Sequence, residues 1–252
     1  MKPDAGGNDP GKLESLSNRQ REFWRKLQIL LWPRRCFVCG EDAGLHIVCP
    51  DCEGELPRLE GRHCSVCGLP SPGGEVCGAC LKRPPHFDAT LALFAYASPV
   101  REMVLAIKHG RGFGLAPWLG RLMALKLREA GIRSDRILPM PLHKARLRQR
   151  GFNQAVELAR PICAEMGLGL ERDLVVRDLD TPCLEGLRRK ERQRAVRGAF
   201  RCVKPLEGLH VLVVDDVMTS GATLDELAAC LKQRGAARVT NLVLARTLRQ
   251  PR

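Results

Sequence analysis

Residues 211–224 read V-L-V-V-D-D-V-M-T-S-G-A-T-L. Two neighbouring carboxylates, Asp215 and Asp216, stand just ahead of a run of small and hydroxylated residues: Thr219, Ser220, Gly221, Ala222 and Thr223. Carboxylates accept hydrogen bonds from sugar hydroxyls, or hold a Mg²⁺ that arrives with a phosphorylated ligand. A glycine lets the backbone come close to an anion, and the hydroxyl side chains add donors. Where such a run opens a helix, free N–H groups and the positive end of the helix dipole suit a phosphate. The stretch therefore asks for a phosphate at one end and a polyol or metal at the other. A ribose 5-phosphate meets both demands.

A second chemistry lies upstream. Cys36-x2-Cys39, Cys49-x2-Cys52, Cys64-x2-Cys67 and Cys77-x2-Cys80 follow one another, and each pair of the second half stands 28 positions after its counterpart in the first. C-F-V-C-G repeats as C-S-V-C-G, which marks an internal duplication. Paired C-x2-C knuckles supply the four thiolates of a tetrahedral Zn²⁺ site, and Gly40 and Gly68 suit the tight knuckle turn. Two structural zinc ions are expected. The simplest grouping puts Cys36, Cys39, Cys49 and Cys52 on one and Cys64, Cys67, Cys77 and Cys80 on the other; a crossed grouping also fits the spacing. Iron–sulfur ligation and redox disulfides are the rival uses of these thiols. The segment has little apolar content of its own, so metal must supply its folding energy, on the order of 10 kcal/mol per site.

The elements that must position these groups can be read from pattern. The apolar run 211–214, rich in β-branched residues, predicts a buried strand with the acids at its carboxyl end, the end at which open α/β sheets bind ligands. Leu224, Leu227, Ala228 and Leu231 predict a helix directly after the hydroxylated run. Upstream, residues 88–97 alternate as a strand, 100–108 and 116–130 read as helices, and 137–141 as a strand running into a basic loop. Asn153 is placed to cap a helix that carries Ala155, Leu158 and Ile162. Residues 174–176 read as a short strand and 178–186 as a mobile loop. Residues 188–201 hold seven basic residues and one acid: a solvated helix face, an anion-gathering lid, or a nucleic acid contact. Residues 1–18 read as disordered and 19–33 as an amphipathic helix.

Charge separates the parts. The chain of 252 residues carries a net +13, yet residues 36–83 hold 4 basic and 7 acidic groups while residues 84–252 hold 29 and 17. The positive field belongs to the α/β part and favours phosphate-bearing partners, nucleic acid included. An acidic cysteine block suits a docking or structural role better than a grip on nucleic acid. Aromatics make up only 4%, which leaves little material for base-stacking platforms. No run approaches the roughly 20 apolar residues that cross a bilayer, and the start of the chain lacks a basic-then-apolar signal pattern, so a cytoplasmic location is expected.

Taken together, these blocks resemble the ComF family of competence-associated proteins. The resemblance rests on the cysteine ribbons, I-K-H-G-R-G at 107–112, L-P-M-P-L-H-K-A-R-L-R-Q-R-G-F-N-Q at 138–154, and the stretch 211–223. It covers nearly all of the chain after residue 32. It implies an α/β fold: a parallel-sheet, type I phosphoribosyltransferase-like domain over residues 86–252, preceded by a double zinc ribbon over 34–83. The implied ligand is phosphoribosyl pyrophosphate (PRPP) with Mg²⁺. By the same resemblance Asp215 and Asp216 would hold ribose hydroxyls, and Thr219, Ser220, Gly221, Ala222 and Thr223 the 5-phosphate. Lys108, Arg146 and Arg150 would face the pyrophosphate. No catalytic residue is assigned. The family also implies a link to natural transformation, with single-stranded DNA and a competence ATPase or helicase as partners, the latter through the zinc module. Two functions follow: phosphoribosyl transfer from PRPP to an unknown acceptor, or a non-catalytic adaptor that contacts single-stranded DNA. The chain departs from the family pattern at Cys183 and Ala195, near the implied acceptor side.

Overall fold

The computed structural model describes residues 35–112, 114–181 and 189–248, and the chain divides into two compact units, the first ending at Glu55 and the second beginning at Leu56. The N-terminal segment and the amphipathic helix expected at 1–18 and 19–33 lie outside the described residues, as do residues 182–186 of the expected mobile loop.

In the first unit, Cys36, Cys39, Cys49 and Cys52 bring their sulfur atoms within 4.8 Å of one another. The knuckle turn closes through Gly40, whose N–H donates to the Cys36 carbonyl at 2.9 Å with φ +77°, a conformation that suits glycine. The short helix α1 (Pro50–Gly54) follows the second pair, with Cys49 as its N-cap. Backbone N–H groups of Val38 and Cys49 donate to the Cys36 sulfur at 3.4 and 3.3 Å. Burial works against the thiolate, but the backbone N–H groups of Cys39, Cys49 and Val38 together outweigh it and bring the Cys36 thiol down to about 6.

The duplicate opens the second unit. Cys64, Cys67, Cys77 and Cys80 form an equivalent tetrad, with the same turn at Gly68 (φ +68°), the same Cys77 N–H to Cys64 sulfur bond at 3.3 Å, and helix α2 (Gly78–Lys82). Four thiolates about 2.3 Å from a central zinc stand about 3.8 Å apart at tetrahedral angles. The sulfur pairs Cys39–Cys49 and Cys67–Cys77 stand 3.9 and 3.7 Å apart. Both tetrads fit zinc, and they assemble in sequential rather than crossed order.

The rest of the second unit is built on a four-stranded sheet in the order β1 (Ala89–Ala95), β6 (Arg238–Arg246), β5 (His210–Met218), β2 (Arg136–Pro139), with every pairing parallel. Between β1 and β2 come α3 (Val100–Lys108) and α4 (Leu115–Glu129). Two further helices follow β2: α5 (Lys144–Arg150) and α6 (Gln154–Met166). A two-stranded antiparallel sheet, β3 (Val175–Arg177) with β4 (Phe200–Cys202), carries α7 (Arg189–Val196) between its strands. Helix α8 (Ala222–Gln233) joins β5 to β6.

Strand alternation splits the core. Val211 and Val213 of β5 share a buried cluster with Leu224, Leu227, Ala228 and Leu231 of α8. Leu212 and Val214 alternate with them and are fully buried, and α6 packs against β5 and β2 while α4 packs against β6 and β1. Leu119, Met123 and Leu127 of α4 and Leu158 and Ile162 of α6 have no exposed surface. Each such side chain contributes about 1.5–3 kcal/mol of burial. The two helices meet closely at Gly120, where an added Cβ would fall 2.5 Å from the Leu158 carbonyl oxygen.

Two details differ from the pattern reading. The strand expected to end before the acids runs on through Asp215 and Asp216 to Met218, because β6 extends alongside and pairs Asp215 with Val243 and Met218 with Arg246. The basic stretch after β2 is a helix, α5, not a loop: its Lys, Ala, Arg, Leu and Gln residues are helix formers, the His143 side chain accepts from the Ala145 N–H at 3.3 Å, and Gly151 ends it at φ +82°.

Elemental analysis of purified protein should find zinc at two ions per chain, one for each tetrad. Cys49→Ser should lower the count to one; an unchanged count, or iron in place of zinc, would contradict the assignment.

Candidate functional site

All four parallel strands end at the same edge of the sheet, and β5 delivers both acids there. Asp215 and Asp216 are 8% and 7% exposed. Two adjacent buried carboxylates repel each other and are costly to charge together. The last residue of α3 resolves this: Lys108 Nζ stands 2.7 Å from Asp216 Oδ2. Burial pushes the Asp216 carboxyl up, but the Lys108 ammonium overrides it and holds the group below the usual carboxylate range. Lys108 is raised in return, its own desolvation outweighed by Asp216. Asp215 goes the other way. Burial first, then the Asp216 charge, push its carboxyl well above the ordinary value, and its Oδ1 accepts the Asp216 N–H at 2.9 Å. The pair is thus split: Lys108 pulls one carboxyl down, while burial and its neighbour's charge push the other up.

Directly after β5 the chain turns through Thr219 and Ser220 to Gly221, the N-cap of α8 at φ +81°. That conformation favours glycine, and a Cβ there would also meet Met218 Cε at 2.7 Å. Ser220 Oγ accepts the Ala222 N–H at 3.4 Å, a long bond that leaves the helix start lightly capped. Arg192 of α7 reaches this turn, its Nη1 donating to Thr219 Oγ1 at 2.8 Å. The basic cluster of 188–201 therefore brings at least one cation to the hydroxylated turn.

The cations expected on the far side are also together. Lys108, His109, Arg146, Gln149 and Arg150 line one open cleft. None of the three expected residues hangs free. Lys108 holds Asp216, Arg146 donates to the Thr181 carbonyl at 2.6 Å, and Arg150 donates to Gln154 Oε1. The block 150–154 has a structural job as well: Asn153 caps α6 by accepting the Ala155 N–H at 3.0 Å, while its Nδ2 donates to the Met140 carbonyl at 3.0 Å and ties the helix to the end of β2.

Pattern reasoning missed two buried arginines. Arg177 ends β3, is 7% exposed, donates to Thr181 Oγ1 and lies 5.4 Å from the Phe200 ring centre. Desolvation and the neighbouring Arg146 depress it, while Asp215 acts to hold its charge. Arg246 ends β6, is 3% exposed, and donates to the Met218 carbonyl at 2.9 Å. In both cases an arginine closing an apolar strand was the available signal. The start of the expected mobile loop is pinned, with Asp178 held by Arg201 at 2.8 Å. Cys163 and Cys202 are buried and Cys230 half-buried, in keeping with packing roles; Cys183 lies outside the described residues.

Comparison with known proteins places these features. Residues 27–81 match the double zinc ribbon domain and residues 155–251 the phosphoribosyl transferase domain. The DNA utilization protein YhgH of Shigella flexneri is 32% identical over 228 residues, covering 87% of this chain and 100% of the relative. Competence protein F of Haemophilus influenzae is 28% identical, over 84% of this chain and 96% of its own length. The purine phosphoribosyltransferase from Pyrococcus horikoshii aligns at 20% identity over 54% of this chain and 78% of that one, with a TM-score of 0.33. The 32% identity across the whole length of YhgH, both domain matches, the parallel sheet and the cysteine tetrads agree: the chain belongs to the ComF family, with a double zinc ribbon and a phosphoribosyltransferase fold.

Proposed function

We propose that the carboxyl end of β5 binds PRPP with Mg²⁺ and that the protein transfers the phosphoribosyl group to an acceptor in the handling of DNA. One observation carries the reading. Within nine residues, the end of β5 supplies two buried acids, one of them already paired to a lysine, and the chain then turns into a glycine-capped, hydroxyl-bearing helix start. Asp215 and Asp216 would hold the ribose hydroxyls. The turn of Thr219, Ser220, Gly221, Ala222 and Thr223 would hold the 5-phosphate. Lys108, Arg146 and Arg150, which share one cleft, would face the pyrophosphate. Bound Mg²⁺ would supply charge neutralisation of the diphosphate. As the acceptor attacks C1, the C1–O bond to pyrophosphate breaks and pyrophosphate leaves. The protein's part is positioning and charge stabilisation, which requires no nucleophilic side chain.

The names of the relatives, DNA utilization protein and competence protein, support a place in DNA use. A second reading has its own support. Residues 84–252 carry twelve more basic than acidic groups, with a dense cluster on and around α7. On that reading the same domain contacts single-stranded DNA, and the zinc module docks a competence ATPase or helicase. No helix among the described residues is long and apolar enough to cross a membrane.

Calorimetric titration with Mg²⁺-PRPP should give saturable binding, weakened at least about tenfold by Asp216→Asn, equivalent to about 1.4 kcal/mol. Equal affinity in the variant would remove Asp216 from the site. The same titration across pH has a defined sign. Burial and the Asp216 charge raise the Asp215 carboxyl, and its ionised form is the stronger acceptor for a hydroxyl and the better partner for a cation, so affinity should rise with pH and the slope should shrink in Asp215→Asn. A fall in affinity with pH would contradict this protonation scheme. For DNA, the affinity for a single strand should drop steeply as salt increases; binding that ignored salt would sink the second reading.

A further inference from the structure

We propose that Arg246 and the second cysteine tetrad position the phosphate-binding turn, so that metal at Cys64, Cys67, Cys77 and Cys80 and a phosphoribosyl ligand reinforce each other's binding. The ligand half of this inference rests on the function proposed above; the positioning half does not.

Arg246 joins three segments through its guanidinium. Nε donates to the Cys67 carbonyl at 3.0 Å, and Nη1 donates to the carbonyls of Met218 (2.9 Å), Thr219 and Thr247 (3.2 Å). With the side chain 3% exposed, a lost acceptor cannot be replaced by bulk water, so the arrangement resists displacement of any one carbonyl. In a trans peptide the C=O and the following N–H point in opposite directions. The Met218 carbonyl also accepts the Thr247 N–H at 3.0 Å within the sheet, so the part that falls to Arg246 is the Thr219 carbonyl, whose capture turns the Ser220 N–H away from the guanidinium. That N–H is among the donors an anion at the start of α8 would use.

The Cys67 carbonyl is set by the knuckle. Gly68 N–H donates to the Cys64 carbonyl at 2.9 Å, and Ser65 O accepts the Thr90 N–H of β1 at 3.1 Å. Cys64, Cys67 and Cys80 also belong to the same buried cluster as Met218 and Leu224. A single cavity has Cys67 and Cys80 on its lining together with Met218, Ser220 and Gly221. When the four thiolates close around zinc, the backbone at Cys67 is fixed. When they do not, Arg246 loses the fixed acceptor that sets its own position. The first tetrad belongs to the other compact unit and serves as the internal control.

Coupling between binding sites is reciprocal and commonly amounts to about 5- to 150-fold in affinity. The test uses the zinc-loaded full chain with pulsed thiol alkylation read by mass spectrometry, with and without Mg²⁺-PRPP, in wild type, Arg246→Gln and Arg246→Lys. Amide hydrogen exchange over residues 218–222 is followed in the same samples, with β2 as the control for an intact fold. PRPP should slow alkylation of Cys64, Cys67, Cys77 and Cys80 by about 5- to 150-fold and leave Cys36, Cys39, Cys49 and Cys52 unchanged. Arg246→Gln should abolish that difference and speed exchange at 218–222 while β2 stays protected; Arg246→Lys should restore part of the protection. PRPP that binds yet slows both tetrads alike, or neither, would overturn the coupling. Unchanged exchange at 218–222 in Arg246→Gln would overturn the positioning role. If wild type binds no PRPP while the exchange result holds, the proposed function fails and the positioning role of Arg246 stands.

Discussion

Two carboxylates on consecutive residues of a buried strand are the constraint around which this domain is arranged. Left alone, they would repel each other in a poorly solvated place, and the strand end would resist burial. Lys108 eases the conflict by pairing with Asp216 at 2.7 Å, and burial with the Asp216 charge raises the Asp215 carboxyl well above its ordinary value. That solution requires α3 to end at the carboxyl edge of the sheet, which in turn requires β1 at one side of the sheet and a helical route from it to β2 at the other. A ligand with vicinal hydroxyls or a bound cation is chemistry that such a cluster could accept.

The turn after β5 is held from two sides. Arg246 takes its carbonyls from within the fold, and Arg192 takes the Thr219 hydroxyl from α7. Between them the turn has little freedom, which matters because anion binding at a helix start depends on N–H groups already aimed at the ligand. The second cysteine tetrad enters this arrangement through Cys67. Its sequence twin, 28 positions earlier, lies in a separate compact unit. A cysteine tetrad that looks like a repeat in sequence thus has one copy built into the core of the phosphoribosyltransferase-fold unit.

Much of this is legible in the sequence, and the reasons are local. Zinc knuckles depend on spacing within four residues, so the cysteine tetrads could be read directly, although their grouping could not. The turn at 219–223 is equally local, since its hydroxyls, glycine and helix start are adjacent in the chain. Asn153 as a cap follows from its place before an apolar helical stripe. Partnerships across the chain were not legible. Nothing near Arg246 in sequence points to Cys67, 179 positions away, and nothing near Arg192 points to Thr219. The acids made β5 look shorter than it is, because charged residues end an apolar pattern even where the neighbouring strand keeps pairing. Helix α5 was hidden by its charge: seven residues, none buried, carry no apolar stripe to announce a helix.

The central claim is that a phosphoribosyl ligand lies across the end of β5 with its phosphate on the start of α8. A crystal structure of the zinc-loaded protein with ribose 5-phosphate tests it most directly. The account predicts the 5-phosphate against the backbone N–H groups of residues 219–223 and the ribose hydroxyls on Asp215 and Asp216. A ligand bound elsewhere, or a crystal grown at saturating ligand with the turn empty and the Lys108–Asp216 pair closed, would contradict it.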